Sequence, residues 1–393
     1  MTPSPSRSAQ VAIGPGLVLL MAIACGCGTG NIYYAQPLLN RIAADFGVTV
    51  RAAGLLQMAM QVGYGAGILV FVPLGDLLER RRLIAGVSCA VACSLAWVAS
   101  STRFPGLLAA SLVMGGTAQL SQLLIPFASD LSPAHRRGKV VGSLMAGLLI
   151  GILLARTVSG LIAEAFGWRA VFWLASGVMA LLAVILWAAL PATAPKLRAS
   201  YGAALRSVGR IFLDSAPLRR SSFVGCLSFA AFSAFWTTLS FRLETPPLHY
   251  GADVAGLFGL LGVAGAVASL LAGRSVDRHG PGPAVRRAFL GIMAAFLLYW
   301  LLGHTLPGLA AGVILMDAGV QGTQVALQAH ILALAPAASN RANTVYMVTR
   351  FAGGALGSVA GAYAWSIWGW SGVCAVSLAL LAAGLAAHER PGD

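Results

Sequence analysis

Apolar residues run along this chain in long blocks separated by short polar connections. Twelve blocks fall near 14–38, 52–74, 83–101, 106–129, 139–163, 169–190, 221–241, 253–273, 287–304, 308–334, 343–365 and 370–388. Most reach the roughly 20 residues that a helix needs to cross the hydrocarbon of a bilayer. The ninth is the shortest, and the first is too long for a signal-peptide core, so it reads as a retained span. The pattern predicts an all-α membrane protein of twelve transmembrane helices. Helices 1, 4, 7 and 10 carry the polar residues, including Asn31 and Tyr34 on helix 1, Gln119 and Gln122 on helix 4, and Ser233, Trp236, Thr237 and Ser240 on helix 7. On helix 10, Asp317, Gln321, Gln324 and Gln328 recur at steps of four, three and four, which is one helical face. Helices 2, 5, 8 and 11 carry small residues such as Gly63 and Gly67, Gly147 and Gly151, Gly256 and Gly259, and Gly353 and Gly357, which let backbones approach closely in lipid. Helices 3, 6, 9 and 12 are the blandest and suit lipid contact.

The sorting repeats. Gln119 and Gln122 return as Gln321 and Gln324, and Gly167-Trp168 returns as Gly369-Trp370, at an offset of about 202 residues. The loop acid Asp76 has a counterpart in Asp277. Two pseudo-symmetric six-helix bundles are therefore expected, over 1–190 and 221–393, with a site at the seam between them. The connection 191–220 is expected to hold an amphipathic helix on the membrane surface, with Tyr201, Leu205, Val208 and Phe212 opposite Arg206 and Arg210.

Composition agrees: 58% of the 393 residues are hydrophobic and 10% are charged. The net charge of +14 could suggest nucleic acid, but its placement argues against that partner. Arg80–Arg82, Arg136, Arg137, Lys139, Arg206, Arg210, Arg274, Arg278, Arg286, Arg287 and Arg341 all fall in even-numbered connections, whereas the odd-numbered ones hold only Arg41, Arg51, Arg103, Arg169 and Arg242. This is the positive-inside bias, and it predicts a bacterial inner-membrane protein with both termini cytoplasmic. The six cysteines lie inside predicted spans without histidine partners at ligand spacing, so neither a metal, a cofactor nor a disulfide framework is expected.

Few ionisable groups fall within spans: Arg156, Asp317, His330 and Arg350. Each costs on the order of 3 kcal/mol in hydrocarbon unless it meets a cavity or a partner. Asp317, the sole buried acid, is the candidate proton-coupling group; a permanent structural pair with an arginine is the alternative. Arg156 has three open roles: pairing with Asp317, attracting an anionic solute, or latching the outer gate. Arg350 is placed near the cytoplasmic end of helix 11, beside Asp76. Asn31, Tyr34, Gln119, Gln122, Trp236, Gln321 and Gln324 are candidate solute contacts, with structural bridging the alternative for the amides.

The connection Val72-Pro73-Leu74-Gly75-Asp76-Leu77-Leu78-Glu79-Arg80-Arg81-Arg82 resembles the loop between helices 2 and 3 of the major facilitator superfamily, whose usual form is G-x-x-x-D-R-x-G-R-R. The second copy, Gly273-Arg274-Ser275-Val276-Asp277-Arg278-His279-Gly280, keeps the pattern better, and the PAHRRGK loop and GWR corner extend the resemblance across the chain. The resemblance implies two bundles rocking about a central site in alternating access. It also implies that Asp76 caps the N-terminus of helix 11 and that Arg80 pairs with Asp130, with Asp277, Arg278 and Arg350 as further gating candidates. Two departures stand out. Drug/proton antiporters of the family carry Arg in helix 4 where this chain has Ser111, and G-P-x-x-G-G in helix 5 where this chain reads Ala155-Arg156-Thr157-Val158-Ser159-Gly160.

The expected function is secondary active transport of a small organic solute, as proton-coupled efflux, by a monomer. Uptake or facilitated uniport is the alternative, and a non-transporting membrane sensor a minor one. No paired Ser/His or Glu/His face suggests an enzyme.

Overall fold

The structure is a computed structural model that describes residues 13–193, 201–334 and 338–389, with residues 204, 266, 269–272, 275 and 277 described by their backbone alone. Within these residues the chain forms only helices. The first span is α1, Pro15–Gly30, shorter than its apolar block. Alternating Gly26, Gly28 and Gly30 weaken its end. The chain turns through 31–35 and a 3₁₀ turn at Gln36–Leu38 into the short α2, Leu39–Phe46. The second and third spans are α3, Val50–Leu77, whose N-terminus is capped by the Thr49 hydroxyl, and α4, Arg80–Ser100. The fourth is broken into α5, Phe104–Thr117, and α6, Leu120–Leu131. The fifth and sixth are α7, Ala134–Phe166, and α8, Trp168–Ala189.

The linker helix α9, Tyr201–Asp214, does not lie free on the membrane surface. It packs against α3 and the start of the eleventh span, with the Tyr201 hydroxyl 3.4 Å from the Val70 carbonyl. Val208 is buried, but Phe212 is exposed and Ile211 packs in its place, because the helix rests on its Leu205–Val208–Ile211 stripe.

The second half begins with α10, Ala216–Glu244, buried along nearly its whole length. The eighth span is broken into α11, Ala252–Leu257, a 3₁₀ turn at Phe258–Gly262, and α12, Val263–His279. Then come α13, Pro281–Leu302, longer than its apolar block, and α14, Leu306–Leu334. The last helix, α15, Ser339–Glu389, holds the eleventh and twelfth spans, which part at Gly369 with φ 58°. Gly167, with φ 81°, makes the equivalent corner between α7 and α8. Both glycines sit where a left-handed turn reverses the chain, a conformation that costs other residues.

Two apolar cores follow, one drawn mainly from α1–α8 and the other mainly from α10–α15. Many of the small residues serve within each half. A Cβ on Gly151 would lie 2.3 Å from the Gly26 backbone on α1, and one on Gly357 would lie 2.0 Å from the Ala230 carbonyl on α10. These are the fifth-on-first and eleventh-on-seventh contacts, one copy per half. Other glycines join the halves: Gly160 on α7 meets Ala252 and Gly256 on α11, and Gly54 on α3 meets Ala362 and Ser358 on α15. Spacing reveals that a helix packs closely; it does not name the partner.

Candidate functional site: the cavity between the halves

At the end opposite the arginine-rich connections the halves touch. The Thr157 hydroxyl donates to the Gly256 carbonyl at 3.0 Å, Asn40 donates to Glu244, and Arg51 Nε donates to the Ser366 hydroxyl at 2.5 Å. Below these contacts lies a cavity of about 400 Å³ lined by both halves. Its closed end holds Arg156 and Asp317, and it extends past Gln321, Gln324 and Gln328 to Asn343, near the arginine-rich end.

The helix 10 face enters this cavity as a unit: Asp317, Gln321, Gln324 and Gln328 all line it. From the first half come Gln122, Tyr33 and Tyr64, with the Gln122 amide donating to the Tyr64 hydroxyl at 3.3 Å. Three other candidates lie elsewhere. Gln119 is fully buried at the break between α5 and α6, where its amide donates to the Tyr64 backbone carbonyl at 3.0 Å. Asn31 is buried and donates to the Gly28 carbonyl at 3.2 Å in the turn after α1. Tyr34 points away from the cavity into an outer groove between α1 and α7, and Tyr33 takes the wall position. The cause is the early end of α1: beyond Gly30 a helical face can no longer be extrapolated. Tyr64 and Gln36 carry no periodic signal that would have marked them.

Arg156 is 1% exposed and is held mainly by ring faces. Its guanidinium carbon lies 4.0 Å from the Trp236 ring centroid and 4.7 Å from that of Tyr33, and Nε donates to Gln36 Oε1 at 2.7 Å. Desolvated cation–π contacts of this kind contribute about 2 kcal/mol. Trp236 therefore stands behind Arg156 and not on the cavity wall. Arg156 and Asp317 do not form an ion pair within 4 Å, but they act on each other through space. Asp317 Oδ2 rests against the eighth span at Gly262, where an added Cβ would come within 2.9 Å of it.

Arg350 also lines the cavity, its guanidinium carbon 3.9 Å from the Phe229 centroid. It does not join Asp76, because it sits about three turns into α15 at the depth of the cavity. Asp76 instead accepts from Arg80 Nη2 at 2.8 Å, while Arg80 Nη1 reaches Asp130 at 2.8 Å and Nε reaches the Gly75 carbonyl. All four residues belong to the first half. The cluster ties the loop between α3 and α4 to the end of α6, and among the described residues Asp76 makes no hydrogen bond or ion pair with the eleventh span. The Asp277 side chain lies outside the described residues, and Arg278 is exposed in the last turn of α12. His330 is half-buried away from the cavity wall.

The geometry is a seam cavity of neutral amides, aromatic faces and three unpaired charges between two six-helix halves. The sequence profile of the Major Facilitator Superfamily matches residues 18–358. The chain belongs to that superfamily. It is 41% identical over 343 residues to the uncharacterized transporter YgaY of Escherichia coli O157:H7, covering 87% of each chain. It is 31% identical over 251 residues to the chloramphenicol resistance protein of Streptomyces lividans, covering 62% of each. Among solved structures, a point mutant of the nucleoside transporter NupG matches with a TM-score of 0.78 over 94% of this chain and 98% of that one, at 13% identity. That last likeness concerns the fold alone. The protein is accordingly a multi-pass membrane transporter of small molecules and not an enzyme.

Proposed function

We propose that the protein exports a small organic solute across a bacterial inner membrane in exchange for protons, by alternating access. The observation that carries this reading is Asp317: the one buried acid on the cavity wall, on the glutamine face, beside a buried arginine it does not pair with. Such a carboxyl can exist in either protonation state during a cycle, and its charge acts on Arg156, Tyr33 and Tyr299 from three other elements. A proton on Asp317 removes the negative charge facing Arg156, which changes what the cavity attracts. Gln122, Gln321 and Gln324 then supply the neutral hydrogen-bonding positions for the solute.

The positive-inside bias assigns the arginine-rich end to the cytoplasm. The state described is then closed outside and reaches inward, ready to load from the cytoplasm. In this reading Asp76, Arg80 and Asp130 brace the inner end of the first half, with Asp277 and Arg278 at the equivalent loop. The relative named for chloramphenicol resistance supports outward movement of a drug-like solute.

Everted membrane vesicles test the proposal. With an imposed pH gradient followed by a quenched dye, a transported solute from a drug and metabolite panel dissipates the gradient, and Asp317→Asn abolishes that response. Flux that needs no gradient, or that Asp317→Asn leaves unchanged, replaces this reading with facilitated uniport.

A further inference from the structure

We propose that the solute is a monocarboxylate with an aromatic body, its carboxylate held between Arg156 and Arg350. The inference rests on the reading of the seam cavity as the solute site. Two guanidinium groups line that cavity, 1% and 7% exposed, and its wall carries a single carboxyl among the described residues, Asp317, at 7%. Among the described residues neither arginine makes an ion pair within 4 Å, so two positive charges line the cavity against one negative charge. A buried, unbalanced cation is costly, whereas an incoming anion that restores neutrality binds well.

The donors are also left available. Arg156 uses Nε on Gln36, but Nη2 is buried without a hydrogen-bond partner. The rings of Trp236 and Tyr33 lie 4.0 and 4.7 Å from its guanidinium carbon, which holds the group in place and leaves Nη2 for an incoming acceptor. Arg350 is fixed in the same way, 3.9 Å over Phe229, and forms no hydrogen bond among the described residues. Two guanidinium edges presented on aromatic supports match the planar geometry of a carboxylate, which takes paired N–H donors. Tyr33, Phe229, Phe232 and Phe351 line the same space and suit a ring-bearing body. A volume of about 400 Å³ admits a small aromatic acid. An organic cation meets two like charges here and is disfavoured.

The test is binding to the purified full chain in nanodiscs at one pH, without a gradient. Benzoate, 3-phenylpropionate and indole-3-acetate are each compared with the corresponding carboxamide and with phenethylamine by calorimetry and thermal shift. At least one acid is expected to bind tenfold or more tighter than its own amide. Arg156→Gln and Arg350→Gln are each expected to weaken that acid tenfold or more. The proposal is overturned if no acid exceeds its amide, if phenethylamine binds more tightly than the acids, or if Arg156→Gln leaves acid binding unchanged. The acid-to-amide comparison uses the unaltered protein, so it stands even where a variant misfolds. Retained acid selectivity with no response to a pH gradient removes only the coupling. Gradient-coupled flux of other solutes without acid selectivity removes only this inference.

Discussion

The second and fourth spans of the first half and the eighth and tenth spans of the second half occupy equivalent places, yet they cross in opposite ways. In the first half, Gly115 on α5 comes so close to α3 that a Cβ there would lie 2.2 Å from the Met60 carbonyl. About 202 residues later the same pair reads Gly262 and Asp317: the glycine has moved to the other helix and a carboxyl fills the space it leaves. The breaks have changed places too. In the first half the fourth span is interrupted around Gln119 and the second is continuous. In the second half the eighth is interrupted at Phe258–Gly262 and the tenth is continuous. A duplicated scaffold thus closes one crossing by backbone contact and gives its twin a charge. A buried charge costs about 3 kcal/mol, and the second half can bear it because a cavity and an arginine adjoin it.

Exchanging the two solutions is the strongest way to break this comparison. Gly115→Asp forces a side chain into backbone contact and buries a carboxyl with no adjoining arginine. Overpacking and uncompensated charge together predict a loss of at least about 3 kcal/mol, seen as little folded protein and a collapse of the melting temperature in detergent. A melt within a degree or two of the parent refutes the close-packing account. The reverse exchange, Asp317→Gly, leaves the cavity arginines without that counter-charge and puts a glycine inside α14, so it is expected to fold with a lowered melt, while gradient-driven transport falls at least tenfold. Coupled transport that survives Asp317→Gly shows that the acid is not the coupling group.

The glutamine pair sharpens the comparison at a smaller scale. Gln119 and Gln321 are equivalent in the repeat, but only Gln321 lines the cavity. Gln119→Ala leaves the Tyr64 carbonyl short of a donor in a dry interior and is expected to cost about 1–2 kcal/mol, with solute affinity little changed. Gln321→Ala is expected to leave the melt within about 0.5 kcal/mol and to weaken solute binding severalfold. Equal effects on stability from both changes contradict the different placement of the two amides.

These residues also mark what could be read from the chain. The helix 10 face was legible because α14 is an unbroken helix, so steps of four, three and four point one way. The same reading misplaced Gln119, whose helix breaks at that residue, and chose Tyr34 over Tyr33, since α1 ends before either. Span number and the two-half division follow from apolar length and recurrence, which the bilayer imposes directly. Which groups meet across the seam depends on interrupted helices and on contacts distant in sequence. Arg350 illustrates this: its distance from the loop suggested a gate, and only the packing of α15 against α10 sets it over Phe229 in the cavity. The arginine in place of the family's proline at position 156 was visible as an anomaly, but its aromatic support from two other segments was not.

The Gly-Trp corners give the mildest form of the same contrast. In the second half the Trp370 indole donates to the Tyr299 backbone carbonyl at 2.8 Å, a bond that no pH change touches. In the first half the Trp168 indole donates to Asp45 at 3.2 Å, and Arg169, replaced by Ser371 in the repeat, pairs with the same carboxylate at 2.5 Å. Arg169's hydrogen bond holds the Asp45 carboxyl below its usual range against the opposing effect of burial, with a further contribution from the Trp168 indole. A lowered folded-state value means that the clasp adds stability above the ordinary carboxylate range and loses it as pH falls through the lowered value. Both side chains are about 40% exposed, so the contribution is below about 1 kcal/mol. Hydrogen exchange of the segment 39–47 is expected to be slow at neutral pH and to quicken as the pH drops below the normal carboxylate range, while the segment around 369 keeps a constant opening equilibrium after correction for intrinsic rates. Asp45→Asn should abolish the first-half pH dependence, and a matching acid response at both corners would mean that the clasp is not its source.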